Sequence, residues 1–141
     1  MQVKRVDSTK PQITFTYSNI LKTLYKRGKL PSVKYDISGR RLTKKNATLD
    51  HIKPKSQGGK SVLSNYMLAT NEFNSLRGAK PITDFLTVEG LSRYINQFIG
   101  VIVDGFNGNE YVKMILKTID EVRVEIARMA TDTNYKLHNK R

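Results

Sequence analysis

A chain of 141 residues without a single cysteine has no disulfide framework, no thiolate zinc knuckle and no thiol nucleophile, and its 38% hydrophobic content suits one modest core, a single domain or a small domain with helical extensions. Its formal charge of +13, from 25 Lys/Arg against 12 Asp/Glu, points to a polyanionic partner, nucleic acid before any other. The longest apolar run, Phe98 to Val103, is far too short to span a bilayer, and no apolar segment follows the basic N-terminus as a signal peptide requires, so we expect no membrane partner and a cytoplasmic protein.

The charge is uneven along the chain. Residues 1–60 hold 15 Lys/Arg and 3 Asp/Glu, a net of +12, whereas residues 61–141 hold 10 and 9, a net of +1. A polyanion-binding face is therefore expected mainly from the N-terminal part. Near the start, Ile13, Phe15 and Tyr17 alternate and read as a short strand or a turn into a helix. Ser18 is a candidate N-cap for a short helix with Ile20, Leu21, Leu24 and Tyr25 on one face, stopped by Gly28 and barred from continuing by Pro31. Residues 34–46 are basic and turn-rich, with Ser38-Gly39 as a tight turn between charged neighbours.

Ala47 to Ile52 is a short β-competent stretch that Pro54 ends, and KPKSQGGK is a loop by composition. Asn65 to Ala69 reads as a second short strand. Thr70 or Asn71 then caps a helix with Glu72 in its first turn, where the helix dipole favours an acid, and Gly78 and Pro81 end it early. Further on, Val88, Leu91, Ile95, Phe98, Ile99 and Ile102 recur at helical spacing up to Asp104-Gly105. A last helix is expected from Glu110 to Ala130. Its Val112, Ile115, Ile119, Val122, Ile126 and Met129 form a heptad-like seam, either packed on the preceding helix and the core or shared between two copies of the chain. The segment near Asp104 lacks EF-hand spacing because Phe106 interrupts it, and His138 lies in a polar basic tail with no role assigned.

Chemistry concentrates between Leu49 and Pro81. Hydrolysing a phosphodiester needs a water made nucleophilic and a positive group at the leaving oxygen. His51 is the only histidine outside the C-terminal tail, and an unperturbed imidazole titrates near pH 6.5, which suits a general base. Asp50 and Asn74 offer hard oxygens of the kind that hold magnesium while leaving most of its shell to water and phosphate. Neighbours in a regular strand point to opposite faces, so Asp50 and His51 can serve one phosphate only where the strand ends or distorts. Alone, an Asp-His pair or an isolated Asn is usually a cap or turn residue. The joint pattern sets this segment apart.

Asp50, His51, Pro54, Ser56, Gly58 and Gly59, then Asn65, then Asn74, Arg77 and Gly78, follow the order D-H-x-x-P-x-S-x-G-G, Asn, and C-N-x-x-K-G of the HNH endonucleases. The resemblance covers about residues 34–81. It implies an α+β fold with a ββα-metal core (34–81), preceded by a basic N-terminal extension with a short helix (1–33) and followed by a helical region with a basic tail (82–141). It also implies roles: His51 as general base, Asn65 as the brace of the long loop, Asp50 and Asn74 as ligands of Mg²⁺, Mn²⁺ or another divalent cation, and Arg77 as a phosphate contact. The basic residues flanking the motif, Arg40, Arg41, Lys44 and Lys45 before it and Lys53, Lys55 and Lys60 in its loop, are the candidate DNA contacts. Where many members of the family carry two cysteine pairs, this chain has Tyr35, Ser38, Thr70 and Phe73, so no structural zinc is expected and Tyr35 and Phe73 are candidates for an apolar clasp.

The expected activity is one-metal hydrolysis of DNA by a monomer or by a homodimer joined through its C-terminal helices. Low alanine and high Lys/Asn usage suggest a phage or mobile element, and then the host cytoplasm. An RNA nuclease, a sequence-specific homing enzyme and a non-catalytic DNA-binding or packaging accessory protein on the same scaffold are the alternatives.

Overall fold

The computed structural model describes residues 20–30, 33–103 and 105–139, with side chains up to residue 131. The alternating segment at Ile13–Tyr17 and the Ser18 cap lie outside the described residues, as does His138's side chain. The fold is α+β. Helix α1 (Ile20–Lys26) is followed by strand β1 (Ala47–His51), strand β2 (Tyr66–Thr70) and helix α2 (Asn71–Arg77). Helix α3 (Val88–Asn96), a two-residue hairpin of β3 (Ile102–Val103) and β4 (Phe106–Asn107), and the long helix α4 (Gly108–Asn139) complete it. No helix among the described residues is long and apolar enough to cross a membrane.

β1 and β2 pair antiparallel, from Ala47 opposite Thr70 to His51 opposite Tyr66. All five residues of β2 are buried, whereas only Ala47 is buried in β1, so β2 is the interior strand. Among the described residues, no strand lies beside its second edge. There the Leu68 N–H donates to the Tyr94 hydroxyl at 3.0 Å, the two phenols of Tyr94 and Tyr111 meet at 2.8 Å, and Tyr111 donates to the Tyr66 carbonyl at 2.8 Å. Two phenols, one from α3 and one from α4, thus meet the backbone groups that a third strand would meet. Both are fully buried, which pushes both hydroxyls' pKa upward and keeps them neutral.

The core forms where the apolar faces converge. Ile20, Leu21, Leu24 and Tyr25 of α1 are all buried, and Phe98 meets Tyr94, Phe106 and Tyr111 edge to face while Phe106 lies tilted on Tyr111. Val112, Ile115, Ile119 and Val122 of α4 are buried in the same core, while Met129, farther along the seam, is exposed. Core packing therefore takes up the first four positions of the seam, and Ile126, partly buried, packs against the same core.

Helix α3 ends six residues short of the expected Ile102. Gly100, at φ 83°, turns the chain, and the Asn109 side chain accepts its N–H at 2.9 Å, so Ile99 and Ile102 are exposed and Ile102 enters β3. The Tyr35–Phe73 clasp is also corrected. Tyr35 lies against the guanidinium groups of Arg41 and Arg93, and Phe73 packs edge-on against Phe85 at 5.5 Å. Next to Tyr35 in the chain is a fully buried carboxylate. Asp36 Oδ1 accepts from the N–H and hydroxyl of Ser38 and the N–H of Arg40, and its Oδ2 accepts from the N–H and hydroxyl of Thr70. Thr70 in turn caps α2 by accepting from the Phe73 N–H at 3.1 Å. One carboxylate thereby fastens the turn at Ser38 to the start of α2.

Candidate functional site

β1 stops at His51, where the chain bends through Ile52 and Lys53 into the loop. This end is held from three directions. Asp50 Oδ1 accepts from the N–H of its neighbour His51 at 2.8 Å, which folds the carboxylate toward the strand's end. Arg77 reaches in from the last turn of α2, and Asn65 closes the loop from the 3-10 turn just before β2.

Asn65 is 5% exposed and uses its whole amide. Its Oδ1 accepts from the Lys53 N–H at 2.8 Å, while Nδ2 donates to the carbonyls of Lys53 and Lys60 at 2.9 and 3.0 Å. Its own carbonyl accepts from the Ile52 N–H at 2.8 Å. Both ends of the lysine-bearing loop are thus tied to one side chain. The loop's glycines make this closure possible. Gly58 sits at φ 88°, and a Cβ on Gly59 would run into the Lys53 carbonyl.

His51 is half-buried, with its ring 4.8 Å from that of Tyr66 and its Nε2 3.1 Å from the Ser61 hydroxyl. Burial pushes its pKa below the usual 6.5; the Asp50 charge opposes this, and Lys55 and Arg77 add to it. At neutral pH the ring is therefore a neutral base. In the tautomer whose Nε2–H donates to the Ser61 hydroxyl, Nδ1 is the nitrogen free to take a proton. Ser61 carries no motif signal and was not singled out from the sequence; only the folded loop places it beside the ring.

Arg77 is not a surface phosphate contact. It is 1% exposed, and its guanidinium is consumed by the protein: NH1 meets Asp50 Oδ2 at 3.1 Å and the His51 carbonyl at 2.6 Å, NH2 the Ile52 carbonyl at 2.6 Å, and Nε the Lys80 carbonyl at 2.8 Å. Its planar fork suits this bundle of acceptors, and burial lowers its pKa while Asp50 pulls it back up, so it stays charged. Asn74 lies one turn before Arg77 on α2, on the same helical face, which leans on β1. Its side-chain amide makes no hydrogen bond among the described residues.

The basic candidates divide into paired and open groups. Arg40 Nε pairs with Glu72 at 3.0 Å, and Lys53 Nζ pairs with Glu125 of α4 at 3.3 Å, which offsets both charges. Beside Lys53 a groove of about 390 Å³ runs along the acidic and basic side chains of α4, Glu121, Glu125 and Arg128 among them. Arg41, Lys44, Lys45, Lys55 and Lys60 are exposed and make no ion pair among the described residues.

The candidate donors are one carboxylate and one imidazole at the end of β1 and one primary amide on α2. No group of three or more His, Cys, Asp or Glu able to hold a metal occurs among the described residues. No protein-family model, curated protein or solved structure matches the chain. What the site can do therefore rests on its own residues.

Proposed function

We propose that this protein is an HNH-type endonuclease with a ββα-metal core, hydrolysing DNA phosphodiesters with His51 as general base and one divalent cation held by Asp50 and Asn74. The observation that carries the reading is the strand end itself: a half-buried, neutral imidazole next to an oriented carboxylate, facing a helix whose first turn bears Asn74, beneath a loop of open lysines.

Asp50 and Asn74 fit a hard cation. Each Asp50 oxygen accepts one hydrogen bond from the protein among the described residues, which leaves lone pairs on both. Two oxygen ligands suit Mg²⁺ or Mn²⁺, which keep much of their shell for water and phosphate. When bound there, the cation supplies positive charge for the leaving oxygen. The chain's own residues do the rest. His51, with Nε2 held by Ser61 and its ring on Tyr66, takes a proton at Nδ1 from the attacking water. Asn65 keeps the loop, and with it Ser61 and the lysines, in place around the ring. Arg41, Lys44, Lys45, Lys55 and Lys60 draw the phosphate backbone toward the site without reading bases.

Supercoiled plasmid incubated with and without Mg²⁺ tests this directly. Mg²⁺-dependent nicking that is lost in His51→Ala is the expected result. Intact plasmid under every divalent cation, with single-stranded RNA cut instead, would move the substrate to RNA. Neither substrate cut would leave the binding-only alternative.

A further inference from the structure

The Arg77–Asp50 pair bears on how a cation is held at this site, and the inference drawn from it rests on the nuclease reading above. Asp50 is the single acidic ligand in the proposed set, and Asn74 adds no charge. Within 3.1 Å of Asp50 Oδ2 stands a guanidinium that is 1% exposed and keeps its proton. It has no freedom to swing aside when a cation arrives, because the nitrogen that meets Asp50 also donates to the His51 carbonyl, and the other two donate to the carbonyls of Ile52 and Lys80. Among the described residues, no further carboxylate or imidazole joins Asp50 and His51 to form a metal-holding group.

A dication entering this space is attracted by one carboxylate and repelled by the guanidinium paired with it, which stands farther from the ion and offsets part of that attraction. The Asp50–Arg77 pair therefore presents carboxylate oxygens with spare lone pairs but almost no net negative charge. A phosphodiester supplies what is lacking, a full negative charge together with oxygens for the open part of the shell.

We infer that Arg77 makes cation binding conditional on the nucleic acid: the free protein holds the ion weakly, and the substrate's phosphate completes the site, so cation and duplex bind cooperatively. The two affinities must then rise by the same factor, since linkage between binding sites is reciprocal. The cutting-competent site exists only with a phosphodiester in it.

The experiment uses the full chain carrying His51→Ala, which leaves the proposed ligands intact and lets an uncut duplex stay bound. Mn²⁺ binding is measured by electron paramagnetic resonance with and without a saturating short duplex, and duplex binding with and without Mn²⁺. The duplex should tighten Mn²⁺ binding by a factor within the roughly 5–150-fold range usual for coupled sites, and Mn²⁺ should tighten duplex binding equally. Arg77→Gln, which removes the charge and keeps an amide to reach the carbonyls, should raise the free protein's Mn²⁺ affinity and shrink the coupling. Should that variant not fold, the two-way measurement on the His51→Ala chain decides alone. Equal Mn²⁺ affinity with and without duplex overturns the inference, and leaves the nuclease reading standing if the wild-type chain still nicks plasmid with Mn²⁺. No Mn²⁺ binding in either state, with no divalent-dependent nicking by wild type, overturns both.

Discussion

Asn65→Asp replaces one NH₂ group by an oxygen of nearly the same size, and at this site the swap should be severe. Of the three bonds that Asn65 makes, the acceptor bond from the Lys53 N–H survives. The other two, to the carbonyls of Lys53 and Lys60 at 2.9 and 3.0 Å, become oxygen–oxygen contacts bearing a negative charge in a position only 5% exposed. Asn65→Ala, by comparison, loses three bonds at about 0.5–1.5 kcal/mol each, hence about 1.5–4.5 kcal/mol. The Asp variant should cost at least as much near neutral pH. The introduced carboxyl is destabilised in its charged form, so its folded-state pKa lies above its unfolded value. Its penalty is therefore smallest in acid, where protonation restores a donor, and grows as pH rises through the folded pKa. Urea denaturation of wild type and both variants at neutral and acidic pH measures this, with amide exchange at Lys53 and Gly59 reporting the loop. Two variants within about 0.5 kcal/mol of wild type, the range of an ordinary surface substitution, would refute the brace.

His51→Ala should lower turnover by roughly 10²–10⁴-fold with duplex affinity unchanged, as judged by single-turnover cleavage beside filter binding. Because burial places the folded His51 pKa below 6.5, the acid limb of the activity profile should fall below that value; the matching stability contribution is complete above it and lost as pH falls through the folded pKa. Asp50→Ala strands the buried Arg77 charge and should cost about 3–5 kcal/mol in thermal or urea unfolding, whereas Asp50→Asn keeps an acceptor, costs less, and still abolishes Mg²⁺-dependent nicking. Replacing Lys44 and Lys45 together with Ala should flatten the slope of log affinity against log salt by up to about 1.8 for every duplex alike, while Lys53→Ala, whose charge Glu125 already offsets, changes it little. A large preference for one duplex that survives high salt would favour the homing alternative. Phe73→Ala should destabilise by about 3–5 kcal/mol because the ring is buried against Phe85, and an unchanged melting temperature would contradict that packing.

Local punctuation made much of the fold legible. Pro54, Gly58-Gly59 and Gly78 mark the ends of β1, the loop and α2, and the spacing of Ile20, Leu21, Leu24 and Tyr25 identifies the buried face of α1. The order of Asp50, His51, Asn65 and Asn74 was visible too, because each stands beside a strand or helix end. Features made by distant polar partners were not. Arg77 in a chain of 25 basic residues looks like another surface cation until α2 packs across β1 and its guanidinium finds three carbonyls and Asp50. Asp36 likewise reads as a turn acid, and only the approach of Thr70 turns it into a staple. The helical spacing through Ile102 was misleading for a related reason: periodicity alone did not register the turn that Gly100 permits.

The phenol pair behind β2 has a direction. Because Tyr111 gives its proton to the Tyr66 carbonyl, Tyr94 must give its own to Tyr111, and the Leu68 amide must give to Tyr94. This one-way chain makes the Leu68 amide proton a gauge of something remote from it. It is shielded only while α3 and α4 stay seated together, so its exchange with solvent times the lifting of those helices from the sheet. The same strand leads through Thr70 directly into the helix that carries Asn74, so the phenol pair backs the proposed catalytic scaffold. The edge is also closed to a visiting strand, which would have to displace both rings before finding a free backbone group on β2.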